Sequence, residues 1–317
     1  MENLDETSAE EPKAEDDFAD FNLIDWNTAW DAEDKPCWFV EPFIAEGRGH
    51  VVYAQAKEGK SFFVLSVAAG IATGRQTLDQ PAGEPRSVLY LDYEMTMVDV
   101  TDRLIDFGYG PEGDLTNLHY ALLPTVPPLD TESGGRRLLA VAQHVGAELV
   151  IVDTTSRAVA GEENSADTFQ DLYRYTGTLL KREGIAYLRI DHAGKEADRG
   201  QRGSSAKNDD VDLIWQYKST DSGAKLAGIH RPGWVPHSFA VRRIDDNERI
   251  EFEIDRSDQD YLPGTKERAA LLDSLDIPRD WGRDKVRAVL KTDGHSITNA
   301  ILSSAIRYRK AAESKHQ

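Results

Sequence analysis

Cysteine is nearly absent from this sequence: Cys37 is the only one in 317 residues. One thiol excludes an intramolecular disulfide and any cysteine-rich zinc site, which suits a reducing compartment. Cys37 reads as a packed small hydrophobe. Long hydrophobic runs are missing too. The longest, Phe62 to Ala72, is too short to span a bilayer, and the acidic N-terminus lacks the apolar segment that directs secretion. A cytoplasmic protein is the expectation. Positive charge is scarce, with 37 Lys and Arg against 56 Asp and Glu for a formal net charge of −19. The shortage is local. Residues 1 to 34 hold thirteen acids and one lysine, whereas from Gly264 onward eleven basic residues face seven acidic ones. The ends differ in sign, and the basic end can face phosphates.

What is present, 40% hydrophobic residues, suffices for one sizeable core and a small satellite domain. Residues 1 to 24 show no apolar periodicity and read as a disordered acidic tail, either solvated or a partner-binding arm. Trp26, Trp30 and Trp38 are expected to pack a leading segment onto the core, followed by a strand from Cys37 to Ile44. The region 25 to 258 then alternates apolar strands with helices. Helices are expected over 62–73, 98–107, 136–145 and 166–182, and strands over 87–91, 118–123, 148–153 and 185–190. Alternation of this kind predicts an α/β fold with a mainly parallel sheet covered on both faces, and ligands at the carboxyl ends of its strands. Four further runs, 211–217, 225–230, 238–243 and 249–254, read as an antiparallel extension. After Pro263-Gly264, residues 264 to 317 predict a small three-helix domain, either a helix-turn-helix or a plain helical cap.

The chain is organised around Ala54-Gln55-Ala56-Lys57-Glu58-Gly59-Lys60-Ser61. It lies between the apolar runs His50 to Tyr53 and Phe62 to Leu65, at a strand-to-helix turn. In a phosphate-binding loop there, backbone N–H groups and the helix N-terminus face the phosphates, the lysine adds a point charge, and the following hydroxyl ligates Mg²⁺. The first glycine of the usual pattern is missing; Ala54 occupies it. ATP and Mg²⁺ are the expected ligands, with residues 54 to 61 and Phe62 at the nucleotide and Ser61 and Asp153 at the metal. Asp153 ends the strand Leu149-Val150-Ile151-Val152, where a carboxylate accepts hydrogen bonds from metal-bound water. Glu94, at the end of the Val88 to Leu91 strand, is the candidate base for an attacking water, with Asp92 as its competitor. His192, at the end of the next strand, is a candidate sensor of the γ-phosphate or a structural histidine.

The ordered set Trp38-Phe39-Val40-Glu41-Pro42, Ala54 to Ser61, Tyr90 to Glu94, Val152-Asp153-Thr154, Gly161 to Asn164, Asp191 to Lys195 and Arg202 to Ser205 resembles the RepA-like branch of the RecA/DnaB superfamily. These are hexameric ATPases and replicative helicases of plasmids and bacteriophages. The likeness runs from about residue 37 to 255. It implies a RecA-like P-loop NTPase core in a ring, with ATP between subunits, Glu94 as catalytic glutamate, Asp153 beside the metal and His192 as sensor. It also implies an arginine finger given by a neighbour, for which Arg231 matches in position and Arg202 is the alternative. The lysine that some relatives place two residues earlier is absent, Ile229 standing there. Loops 156–168 and 194–210 correspond to those facing the pore. Lys195, Arg199, Arg202 and Lys207 are the candidate contacts to single-stranded DNA, and the acidic first loop is assigned none. The expected partners are DNA, further copies of the chain, and replication or loading proteins met through the tail or the C-terminal domain. A DNA motor leads this reading. A recombination or regulatory ATPase and a nucleotide-gated adaptor are its rivals.

Overall fold

The computed structural model describes residues 21, 23–29, 37–162, 165–193, 210–246, 248–255, 261 and 264–313, with side chains to 310. Residues 1–35 form one unit and 36–317 another. In the first, Asp25 accepts a 2.9 Å hydrogen bond from Asn27 N at the start of the short helix α1 (Trp26–Ala29). Trp26 is exposed, against the expectation of a packed tryptophan; Trp30 and most of the acidic tail lie outside the described residues.

The second unit opens with a correction. Cys37 to Ile44 is not one strand but a hairpin, β1 (Trp38–Val40) and β2 (Ile44–Ala45), with a turn that holds a cis Glu41–Pro42 bond. Trp38 meets Trp234 edge-on at 5.0 Å, so this tryptophan does pack.

Nine strands then build one sheet: β3 (Gly49–Ala54), β4 (Val88–Asp92), β5 (Leu118–Leu122), β6 (Leu149–Asp153), β7 (Ala186–His192), β8 (Leu213–Thr220), β9 (Gly223–Ala227), β10 (Ser238–Asp245) and β11 (Ile250–Asp255). Their order is β11-β10-β9-β8-β3-β7-β6-β4-β5. From β5 to β8 all neighbours are parallel, and β9 to β11 add the antiparallel extension. The expected antiparallel β8 is therefore corrected: it pairs parallel to β3 and is antiparallel only to β9. Every residue of β3, β4 and β6 is buried, as continuous apolar strands in a doubly covered parallel sheet must be.

Helix α2 (Lys60–Thr73), apolar all round, is sandwiched against one face, where α3 (Met97–Asp106) joins it. The other face is covered by α4 (Glu132–His144), α5 (Thr155–Ala158), α6 (Ala166–Leu172), a π-helical turn (Tyr173–Gly177) and α7 (Thr178–Arg182). Helix α4 starts four residues before the expected Arg136, because Gly134 and Gly135 serve packing instead of breaking the helix. A Cβ on Gly135 would stand 1.7 Å from Tyr175 O, so the two segments approach as only glycine permits. The expected single helix over 166–182 is interrupted by that π turn.

Three C-terminal helices, α8 (Thr265–Ser274), α9 (Arg283–Thr292) and α10 (Asn299–Glu313), share an apolar cluster of their own. Arg307 of α10 donates a 3.0 Å hydrogen bond to Trp234 O, fastening this bundle to the 228–237 loop. Among the described residues no helix is long and apolar enough to cross a membrane. The whole is an α/β, RecA-like P-loop core with a mostly parallel sheet.

Candidate active site

The loop after β3 has the backbone shape that a phosphate cradle needs. Lys57 (φ 70°) and Gly59 (φ 88°) both adopt the left-handed conformation, which turns successive N–H groups to one side. Ala54 has no such demand on it. It ends β3 in extended register with His192, and its carbonyl accepts from Ala193 N at 2.8 Å, so the missing glycine costs nothing here. Gln55, Ala56 and Lys57 are exposed. The Glu58 carboxylate is turned away from the cradle and accepts from Ser219 N (2.8 Å) and Oγ (2.6 Å), pinning the loop to β8. Phe62 likewise points into packing, against Phe107 and Phe252, with Arg103 and Arg243 over its ring.

Lys60 begins α2 and is buried, its Nζ 3.4 Å from His192 Nδ1. Burial pushes the ammonium's pKa down, and the carboxylates of Asp153, Glu94 and Asp191 oppose that shift. Ser61 Oγ donates to Asp153 Oδ1 at 3.1 Å, and Tyr90 OH donates to Oδ2 at 2.8 Å. Asp153 is 2% exposed, and desolvation raises its carboxyl to about 6 despite both hydrogen bonds. One carboxylate and one hydroxyl make a sparse oxygen set. It suits Mg²⁺, which keeps several waters and is held jointly with a nucleotide's phosphates.

The two candidate bases separate cleanly. Asp92 is fully buried; its Oδ1 accepts from Glu94 N (2.7 Å) and Met95 N (3.0 Å), and its Oδ2 from Tyr120 OH. Burial and these three hydrogen bonds tie Asp92 to the turn and to β5, away from solvent. Glu94 is 37% exposed at its side chain, with Arg157 Nε at 3.0 Å and Thr154 Oγ1 at 3.4 Å. The strand ends thus bring Lys60, Ser61, Asp153, Glu94 and His192 together. Tyr90 and Thr154 entered the sequence reading only as members of motifs and Tyr120 and Arg157 not at all, since a tyrosine inside an apolar strand gives no sign of its partner. Downstream, Asp130 accepts from Ala160 N (2.8 Å) and Gly161 N (2.9 Å), fixing the first part of the 156–168 loop.

Arg231 stands elsewhere. Strand β9 ends at Ala227, so this arginine lies in the 228–237 loop and not at a strand end as expected. Its N–H donates to Asp212 O at 2.9 Å, and its guanidinium is 3.6 Å from the Asp212 carboxylate. Asp212 also accepts from Gly49 N (3.0 Å) and Lys181 Nζ (2.8 Å). Gly49 opens β3, whereas the phosphate loop follows its last residue, so Arg231 and the cradle occupy opposite ends of one strand. Lys195, Arg199, Arg202 and Lys207 lie outside the described residues.

Among curated proteins none matches the chain. The family model described as AAA domain matches residues 18–198, more than half of the chain. Its span takes in the phosphate loop and the three strand ends that carry Glu94, Asp153 and His192. A cradle with a buried lysine, beside a hydroxyl from α2 paired with the carboxylate that ends β6, is what a nucleotide-hydrolysing enzyme of this kind requires. The chain belongs to the AAA domain family and is a P-loop ATPase.

Proposed function

We propose that the chain is a ring-forming, ATP-driven motor that translocates on single-stranded DNA, of the replicative-helicase kind found in plasmids and phages. The observation that carries this reading is the position of Arg231 at the amino end of β3, with the phosphate loop at its carboxyl end. If Arg231 acts on nucleotide, its distance from its own cradle means that the nucleotide is held by another copy, which supports this reading. A ring with ATP between subunits uses such a head-to-tail contact.

In this reading residues 54 to 61 bind the phosphates, Lys60 neutralises them, and Ser61 and Asp153 hold Mg²⁺, which supplies charge neutralisation at the departing phosphate. Glu94 orients the attacking water and takes its proton. His192, in contact with Lys60, registers loss of the terminal phosphate and passes it along β7 to the 194–209 segment. Lys195, Arg199, Arg202 and Lys207 of that segment meet the DNA backbone.

Steady-state ATP hydrolysis with and without single-stranded DNA, across a salt series, tests the reading. We expect stimulation that weakens as salt rises, and loss of turnover by about a hundredfold or more in Lys60→Ala and Glu94→Gln. ATP binding with turnover that stays slow whatever the DNA or salt would refute the motor and favour the adaptor.

A further inference from the structure

Two tyrosines lie face to face under the strand ends. Tyr90 of β4 and Tyr120 of β5 are register partners, their ring centroids 4.9 Å apart and their planes within 10°. Each reaches one strand sideways and two residues forward. Tyr90, opposite Ile151, donates to Asp153; Tyr120, opposite Tyr90, donates to Asp92. Such diagonal neighbours across a sheet are within reach of aromatic side chains. The two receiving carboxylates are themselves register partners on β4 and β6, both buried. Adjacent buried carboxylates repel, and a fixed donor to each holds them in place side by side.

The two hydrogen bonds act on different parts of the site. Tyr90 fills Oδ2 of Asp153 and leaves Oδ1 directed at Ser61. Tyr120 fills Oδ2 of Asp92, whose Oδ1 receives Glu94 N and Met95 N. The first therefore aims the metal-side carboxylate, and the second fixes the backbone turn from which Glu94 projects. We propose that the stacked Tyr90–Tyr120 pair is a positioning device that sets the spacing between the metal site and the base. This rests on the roles given above to Asp153 and Glu94.

Tyr90→Phe and Tyr120→Phe keep the stacked rings and remove one hydroxyl each, so both should fold. Mn²⁺ binding to full-length protein with ADP, followed by electron paramagnetic resonance, reads the metal site without turnover. We expect Tyr90→Phe to weaken Mn²⁺ by about tenfold or more, the usual effect of losing a ligand's hydrogen-bond partner. Its hydrolysis should keep rising with Mg²⁺ where the wild type is saturated. Tyr120→Phe should leave Mn²⁺ affinity within about twofold and lower kcat by about tenfold, with no further loss when combined with Glu94→Gln. Parallel losses of both readouts in both variants, tracking a lowered Tm, would reduce the pair to ordinary core and overturn the proposal; so would no change in either. If the wild type binds Mn²⁺ with ADP yet does not hydrolyse ATP, the role of Glu94 fails. The positioning of Asp153 is then still decided by the metal measurement.

Discussion

Asp92 and Glu94 carry the same functional group two residues apart, and burial and hydrogen bonding give them different surroundings. Asp92 receives two backbone N–H groups and a phenol and is closed to solvent by burial. Glu94 is held instead by an exposed guanidinium, with side-chain exposures of 61% for Arg157 and 37% for Glu94. An ion pair so exposed is worth only about 0.2–1 kcal/mol, enough to bias the carboxylate without locking it. A carboxylate paired with a guanidinium is less free to turn toward a water, so release of Arg157 should favour turnover. Arg157→Ala is expected to raise basal ATP hydrolysis by about two- to fivefold, the equivalent of that pairing energy. A fall in kcat at unchanged nucleotide affinity would show instead that Arg157 assists the reaction.

At the scale of elements, β3 is stapled at its amino end by a histidine. His50 is fully buried, with Nδ1 3.0 Å from Tyr187 O on β7 and Nε2 accepting from Ala45 N on β2 at 3.0 Å. Because Nε2 accepts an N–H, the ring must be neutral with its proton on Nδ1. Burial lowers its pKa from the usual 6.5 to about 4, and His230, packed against Trp215 with the rings tilted by 52°, falls to about 3 for the same reason. The unfolded chain therefore takes up protons below pH 6.5 that the folded chain refuses until about pH 4. Stability is full above the upper value, declines between the two, and levels off below. His50 alone accounts for roughly 3 kcal/mol of that decline. Urea midpoints measured from pH 7 to pH 4 should fall accordingly, with a shallower slope in His50→Asn; a pH-independent midpoint would contradict the neutral staple.

The same elements show what the sequence could reveal. Apolar runs ending in acids disclosed β4 and β6, and the turn between two such runs disclosed the cradle, because burial on both faces leaves a continuous signature. Direction did not show. Whether β8 runs with or against β3 depends on the path of residues 194–209, and no side-chain pattern encodes that. The early start of α4 did not show either, because the close approach of Gly134 to Pro128 and of Gly135 to Tyr175 is a property of other segments. The tie between Glu58 and Ser219 joins residues 161 apart, and no local pattern reports it.

For the whole molecule, the two ends of the sheet carry different groups. The cradle, Glu94, Asp153 and His192 occupy one. At the other, Asp212 gathers Arg231, Lys181 and the first N–H of β3, while the C-terminal bundle grips the same loop through Arg307 and through Ala300, packed beside Gly233. In a ring this polarity would make each subunit a donor of phosphate-binding groups on one side and of an arginine on the other. The consequence can be tested by mixing. Arg231→Ala retains its own cradle, and Lys60→Ala retains its own arginine, so each alone should bind or assemble yet hydrolyse ATP poorly. When the two are mixed in equal amounts and allowed to exchange subunits, about one quarter of the interfaces pair an intact cradle with an intact arginine. Activity should then reappear at up to about that fraction of the wild type. An arginine acting within its own subunit gives no recovery at any ratio, because no copy in the mixture carries both groups.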